Sequence, residues 1–139
     1  MPALRARLRP VVRRDDGSAS LELAIVFPVL LLVVLALLQY GLWFHARTLA
    51  QAAAAEGVAV ARSYSSTPEA GRVRATTFLA DHAEDLVLDP VVVASVPSTG
   101  HVAVEVRGHS LSLLPFVAGP VVVQSAQGPV ERFTVPGAP

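Results

Sequence analysis

The chain has no cysteine and no lysine. The first absence excludes disulfides, thiolate metal sites, a cysteine nucleophile and a lipid anchor on cysteine, so an exported head would hold together by packing alone. The second makes all 11 basic residues arginine. Charge is scarce overall, at 16% of residues against roughly 25% in an ordinary soluble domain. Acids and bases balance to a net charge of zero, which gives no reason to expect a nucleic acid or an acidic substrate as partner. Also lacking are a Gly-rich phosphate cradle and a nucleophile elbow around any serine. Asp81, His82, Glu84 and Asp85 suggest a metal cluster at first sight, with 81, 84 and 85 on one helix face, but acid-rich exposed faces are usually only solvated, and His101 and His109 have no evident partners. The expectation is a protein that is not an enzyme, with no metal, no cofactor and no small-molecule substrate.

What is present in excess is apolar sequence, 53% of 139 residues. Leu23 to Leu38 runs without a polar side chain, and Tyr40, Trp43 and Phe44 extend the run past Gln39. A helix over residues 21–44 would rise about 1.5 Å per residue and reach roughly 36 Å, enough to cross a hydrocarbon core about 30 Å thick. Arg5, Arg7, Arg9, Arg13 and Arg14 precede the run and are opposed only by Asp15 and Asp16. The positive-inside rule then places the N-terminus in the cytoplasm, and the aromatics mark the far interface. A cleaved secretory signal is the rival. Its apolar region is usually about 7–15 residues and ends at a small-residue cleavage site. This run is longer and is followed by aromatics, His45 and Arg47. Arg13-Arg14 is followed by two acids and makes a poor twin-arginine signal.

Gln39 to Arg62 is rich in Ala and has no Pro, so the helix should continue beyond the lipid and end in Ser63-Tyr64-Ser65-Ser66. Thr67-Pro68-Glu69 predicts a second helix start, with Thr as N-cap and Pro at the first helical position. Val73, Thr76, Leu79, Ala83 and Leu86 are expected on its apolar face, with Arg72 among them, and the helix should end near Leu86. From Asp89-Pro90 the period becomes two. Val91–Val96 and Val102–Val106 read as strands joined by Pro97-Ser98-Thr99-Gly100. Val121–Ala126 and Val130–Val135 read as a second pair around Gln127-Gly128-Pro129. Leu111 to Gly119 is an apolar connection without an assignment. The fold class is therefore α+β: a long N-terminal transmembrane helix leading into a small head with one further helix and a short antiparallel sheet. The expected divisions are a cytoplasmic Arg-rich leader at 1–17, the long helix at 18–62, an extracytoplasmic head at 63–135 and a tail at 136–139.

Glu22 is the unusual residue. An acid at the centre of a spanning helix costs about 2.5–3.5 kcal/mol, and less near the interface. One reading is a tolerated interfacial acid on the first turn, where the helix dipole favours it. Alternatively, a cut after Gly17 would leave Ser18 with a new α-ammonium, four residues and one helical turn before Glu22. That pair can close within one chain or between neighbours. In the second case it becomes a register device, because an unpaired carboxylate in lipid is penalised until a neighbour supplies an amine.

The run Gly17-Ser18-Ala19-Ser20-Leu21-Glu22-Leu23-Ala24-Ile25-Val26-Phe27-Pro28 closely resembles the N-terminal signature of TadE-like proteins, the minor pilins or pseudopilins of the tight-adherence (Flp-type) pilus system. Gln39-Tyr40-Gly41 and the Ala-rich stretch Ala52 to Arg62, with its Glu-Gly, continue the resemblance over the first helix. The resemblance implies a structural role. Gly17 would precede the prepilin-peptidase cut, Ser18 would be the new N-terminus, Glu22 would be the acid at the fifth mature position used in processing or assembly, and Pro28 would match the family's proline. The implied partners are membrane lipid, the prepilin peptidase, other pilins and the pilus assembly platform. Leu23 stands where major Flp pilins typically carry Tyr, and the chain is much longer than those subunits; both favour a minor component. Gln39 stands where relatives often carry an acid. Pro28 also has a meaning of its own, since it cannot donate to the carbonyl of Ala24 and so kinks or loosens the helix there. A membrane-tethered extracytoplasmic binding module with an uncleaved signal anchor is the alternative function.

Overall fold

The structure is a computed structural model and describes residues 16–131, with side chains from residue 20 onward. The five leader arginines, the end of the second expected strand pair and the 136–139 tail lie outside the described residues. The described elements are α1 (Asp16–Ala61), α2 (Pro68–His82), β1 (Val87–Ser98), β2 (His101–Ser110) and β3 (Val121–Pro129). The three strands form one antiparallel sheet in the order β1-β2-β3. This is the expected α+β class, with three strands among the described residues.

The chain divides into a unit up to Val34, whose described part is the first stretch of α1, and a second unit from Leu35 onward. In the second unit, α1 continues because Ala dominates and no Pro follows Pro28. It ends where the hydroxyl of Ser63 donates to the carbonyl of Val60 at 2.7 Å and Ser65 takes φ 59°. The start of α2 is as read from the sequence. Thr67 is the N-cap, its hydroxyl accepting from the Ala70 N–H at 3.2 Å, and Pro68 opens the helix.

The buried face of α2 differs from the expected one. Gly71, Ala75 and Leu79 are buried, followed by Ala83 just past the helix end, while Val73 and Thr76 are exposed. The face was set by size and not by hydropathy, because α2 crosses α1 at close range. A Cβ on Gly71 would lie 2.5 Å from the Gly57 carbonyl oxygen and 2.6 Å from the Ala61 Cβ. Arg72 is accordingly on the outside, where its guanidinium donates to the Glu69 carboxylate. This bond holds the Glu69 carboxyl below its ordinary value of 4.5. The helix also stops at His82, so Glu84 and Asp85 fall in the following turn instead of sharing a helical face with Asp81.

β1 begins earlier than expected and passes through a bulge at Asp89-Pro90, with Asp89 at φ 50°. The hairpin to β2 falls where the sequence placed it, with Gly100 at φ 81° supplying the left-handed residue of the turn. β2 is the central strand, and Val102, Val104 and Val106 alternate inward with almost no exposure. The second expected pair is corrected: Val121 to Pro129 is one strand, paired along its length with β2 from His109↔Val121 to His101↔Pro129. Gln127-Gly128-Pro129 is the end of that strand and not a turn. Gly128 is small because a Cβ there would meet the Val58 Cγ1 at 3.3 Å.

The core joins one face of α1 (Ala46, Ala50, Ala53, Ala54, Val58, Ala61) to the inward valines of the sheet. Its largest fully buried side chains are valines. With so little side-chain volume, the head is held by close approach of backbones, and every methyl counts in such a core. At the far end, the Glu131 N–H donates to the Arg62 carbonyl at 2.8 Å, tying the end of α1 to the segment after β3.

Candidate functional site

The residues singled out by the sequence all fall on α1. Gly17 and Ser18 lie in its first turn, and their side-chain surroundings are outside the described residues. Glu22 is exposed, as are its apolar neighbours Leu21 and Leu23. The four ion pairs among the described residues are Arg62–Glu131, Arg72–Glu69, Arg74–Glu56 and Arg107–Glu105, so none of them engages Glu22. Ser18 and Glu22 stand four positions apart on one continuous helix, the spacing that puts two groups on one face. Ser20, Leu23, Ala24 and Phe27 line a shallow groove along the same stretch. Pro28 is exposed inside the helix, which continues through it. Chemically this is a rod with an apolar surface, one carboxylate and one missing backbone donor.

Further along α1, Gln39 and Trp43 do something the sequence did not reveal. Gln39 Nε2 donates to the Leu111 carbonyl at 2.9 Å, and its Oε1 accepts from the Leu113 N–H at 2.9 Å. One turn later, Trp43 Nε1 donates to the Val121 carbonyl at 3.1 Å. The two side chains thus hold both ends of the Leu111–Gly119 connection against the helix. An acid at position 39 could accept from Leu113 but has no N–H for Leu111; the amide supplies one of each. No local sequence signal could have found a contact over more than seventy positions. Around Trp43, Tyr40 and Phe44 stack as an aromatic cluster, with ring centroids 5.8 Å and 6.4 Å from Tyr40, and the Arg47 guanidinium lies 5.7 Å from the Trp43 ring. This is the composition of a membrane–water boundary.

α1 is the one helix among the described residues long and apolar enough to cross a membrane. Residues 17–59 match the family model of TadE-like proteins. The N-terminal helix is TadE-like. That segment starts at the expected processing position and ends two residues after Gly57, so it contains Glu22, Pro28, the Gln39 clamp and the alanine face that carries the head. No curated protein and no solved structure gives a match to the chain. The TadE-like match thus lies on the one helix among the described residues that is long and apolar enough to cross a membrane.

Proposed function

We propose that this TadE-like chain is a minor pilin that takes part in assembling a tight-adherence pilus. A prepilin peptidase cuts between Gly17 and Ser18, and the mature α1 packs beside other pilin helices through its apolar surface. The arginines before the cut keep the N-terminus in the cytoplasm until processing, and the head stands outside the inner or plasma membrane. The new ammonium at Ser18 and the carboxylate of Glu22 then serve as the pairing that fixes the axial register between neighbouring helices. An acid left unpaired in lipid is penalised, so the correct register is the one that pairs it. The observation that carries this reading is the Gly17, Glu22 and Pro28 spacing on a helix that matches the TadE-like family.

Two measurements test it. Intact mass and N-terminal sequencing of the protein from the native membrane fraction should give a start at Ser18; a start at Met1 or Pro2 would favour the uncleaved, membrane-tethered binding module. Glu22→Ala should insert normally and yet leave few or no pili. Normal piliation in that variant, or full function after exchanging residues 18–44 for an unrelated spanning helix, would overturn the assembly role.

A further inference from the structure

The Leu111–Gly119 connection is a closed loop. Its ends meet where the Ser110 N–H donates to the Pro120 carbonyl at 2.9 Å, and Gly119 is packed so tightly on the Ser110 carbonyl that a Cβ has no room. Such loops with adjacent ends are usually packed by their own side chains. This one turns its side chains out: Leu113, Leu114 and Val117 are exposed, and Phe116 is fully exposed at 107%. Phe116 also holds φ 65°, a left-handed backbone that bulky residues rarely adopt. From Gly108 to Val130 there is no Asp, Glu, Lys or Arg. A strained, uncharged loop that presents a phenylalanine outward is a poor surface for water.

Its position says what covers it. The Gln39 clamp fixes the loop beside the last turns of the apolar run, and Leu113 lines one shallow apolar depression together with Leu37, Leu38, Gly41 and Leu42. The aromatic cluster of Tyr40, Trp43 and Phe44 lies on the same turns. The loop is therefore continuous with the surface that faces lipid. We infer that the Leu111–Val117 loop is a second membrane contact, dipping Phe116 and its neighbours into the leaflet on the head's side of the bilayer. The inference rests on α1 being the membrane anchor. Its occupant is lipid and not a protein partner, because the patch carries no charge to select one and merges with the apolar run of the helix.

The absence of native cysteine allows a direct test with single labelling sites. The full chain carrying Phe116→Cys, or Val117→Cys as a second site in the loop, is spin-labelled and reconstituted at low density into phosphatidylethanolamine/phosphatidylglycerol vesicles. Collision with oxygen, which concentrates in lipid, is compared with collision with a water-soluble nickel chelate. Leu30→Cys reports the anchor, and Thr99→Cys in the β1–β2 turn reports water. The expected result is oxygen exceeding nickel several-fold at 116 and 117, as at 30, with the order reversed at 99. Nickel exceeding oxygen at 116 and 117 while 30 remains lipid-like overturns the loop contact and leaves the anchor standing. Low collision with both reagents at 116 overturns it in favour of a contact between copies. A water-like signal at 30 overturns the anchor and the loop contact together.

Discussion

Replacing Gly71 by Ala puts one methyl group between two helices that have no room for it. The added Cβ would sit 2.5 Å from the Gly57 carbonyl oxygen, where ordinary contact begins at 3.4 Å, so the crossing must open by about 0.9 Å. Neither neighbour can rotate away, because one is backbone and the other is the Ala61 Cβ. Overpacking of this kind costs about 1–3 kcal/mol, and rigid neighbours argue for the upper part of that range. Against it stands a gain of roughly 0.5–1 kcal/mol for Ala over Gly inside a helix. The net loss should be about 2 kcal/mol, which for a head of this size lowers the melting temperature by about 8–16 °C. The same substitution at Gly41 meets nothing within 4 Å and should leave stability unchanged or slightly raised. Both variants can be melted as the full chain in detergent micelles, following the near-UV circular dichroism of the single tryptophan, Trp43. A Gly71→Ala protein that melts at or above the wild-type temperature would refute the reasoning, because the helix-propensity gain would then have met no steric opposition.

Gln39→Ala should free the Leu111–Gly119 loop with little effect on the sheet. Two hydrogen bonds of about 1 kcal/mol each are lost, so the Leu113 amide should exchange roughly thirtyfold faster by hydrogen–deuterium exchange; an unchanged rate would mean the loop holds itself. Gln39→Glu should be intermediate, retaining the Leu113 bond and losing the Leu111 one. The first turn of α2 should weaken in acid. The Arg72 guanidinium holds the Glu69 carboxyl below 4.5, so its stabilising effect is present above that pH and is lost as pH falls through the lowered value. Glu69→Gln should flatten this acid dependence of helix content in circular dichroism, and a variant that keeps the wild-type dependence would assign it to another carboxyl.

Local chemistry made much of this fold legible. An apolar run bounded by arginines and aromatics, a Thr-Pro cap and a Pro-Ser-Thr-Gly turn each encode their element within a few residues, and the structure has an element at each. The misread parts depend on what packs against them. Gly128 resembles a turn residue in sequence, but it sits in a strand where a Cβ would press on Val58 of α1. Hydropathy ranks Val73 above Gly71 for the buried face of α2, whereas the close approach of α1 selects the smaller residue. At the candidate site, the Gly17, Glu22 and Pro28 spacing is a property of one helix and can be counted along the chain. The Gln39 clamp joins residues more than seventy positions apart, and only the folded structure brings them together.

The alanine face of α1 also bears on how the chain survives before it is folded. Its neighbours in the sheet include Val104 and Gly128, and the backbone bond that fastens the end of α1 comes from Glu131, near the limit of the described chain. Contacts this distant in sequence form late, and a chain waiting for them exposes whatever it will later bury. A stripe of leucines would leave a broad adhesive surface during that interval. Alanine and glycine expose little apolar area while they wait, and they still permit the tightest crossing once the strands arrive. The same small side chains that make the finished head sensitive to a single added methyl keep its unfinished form from adhering to its neighbours.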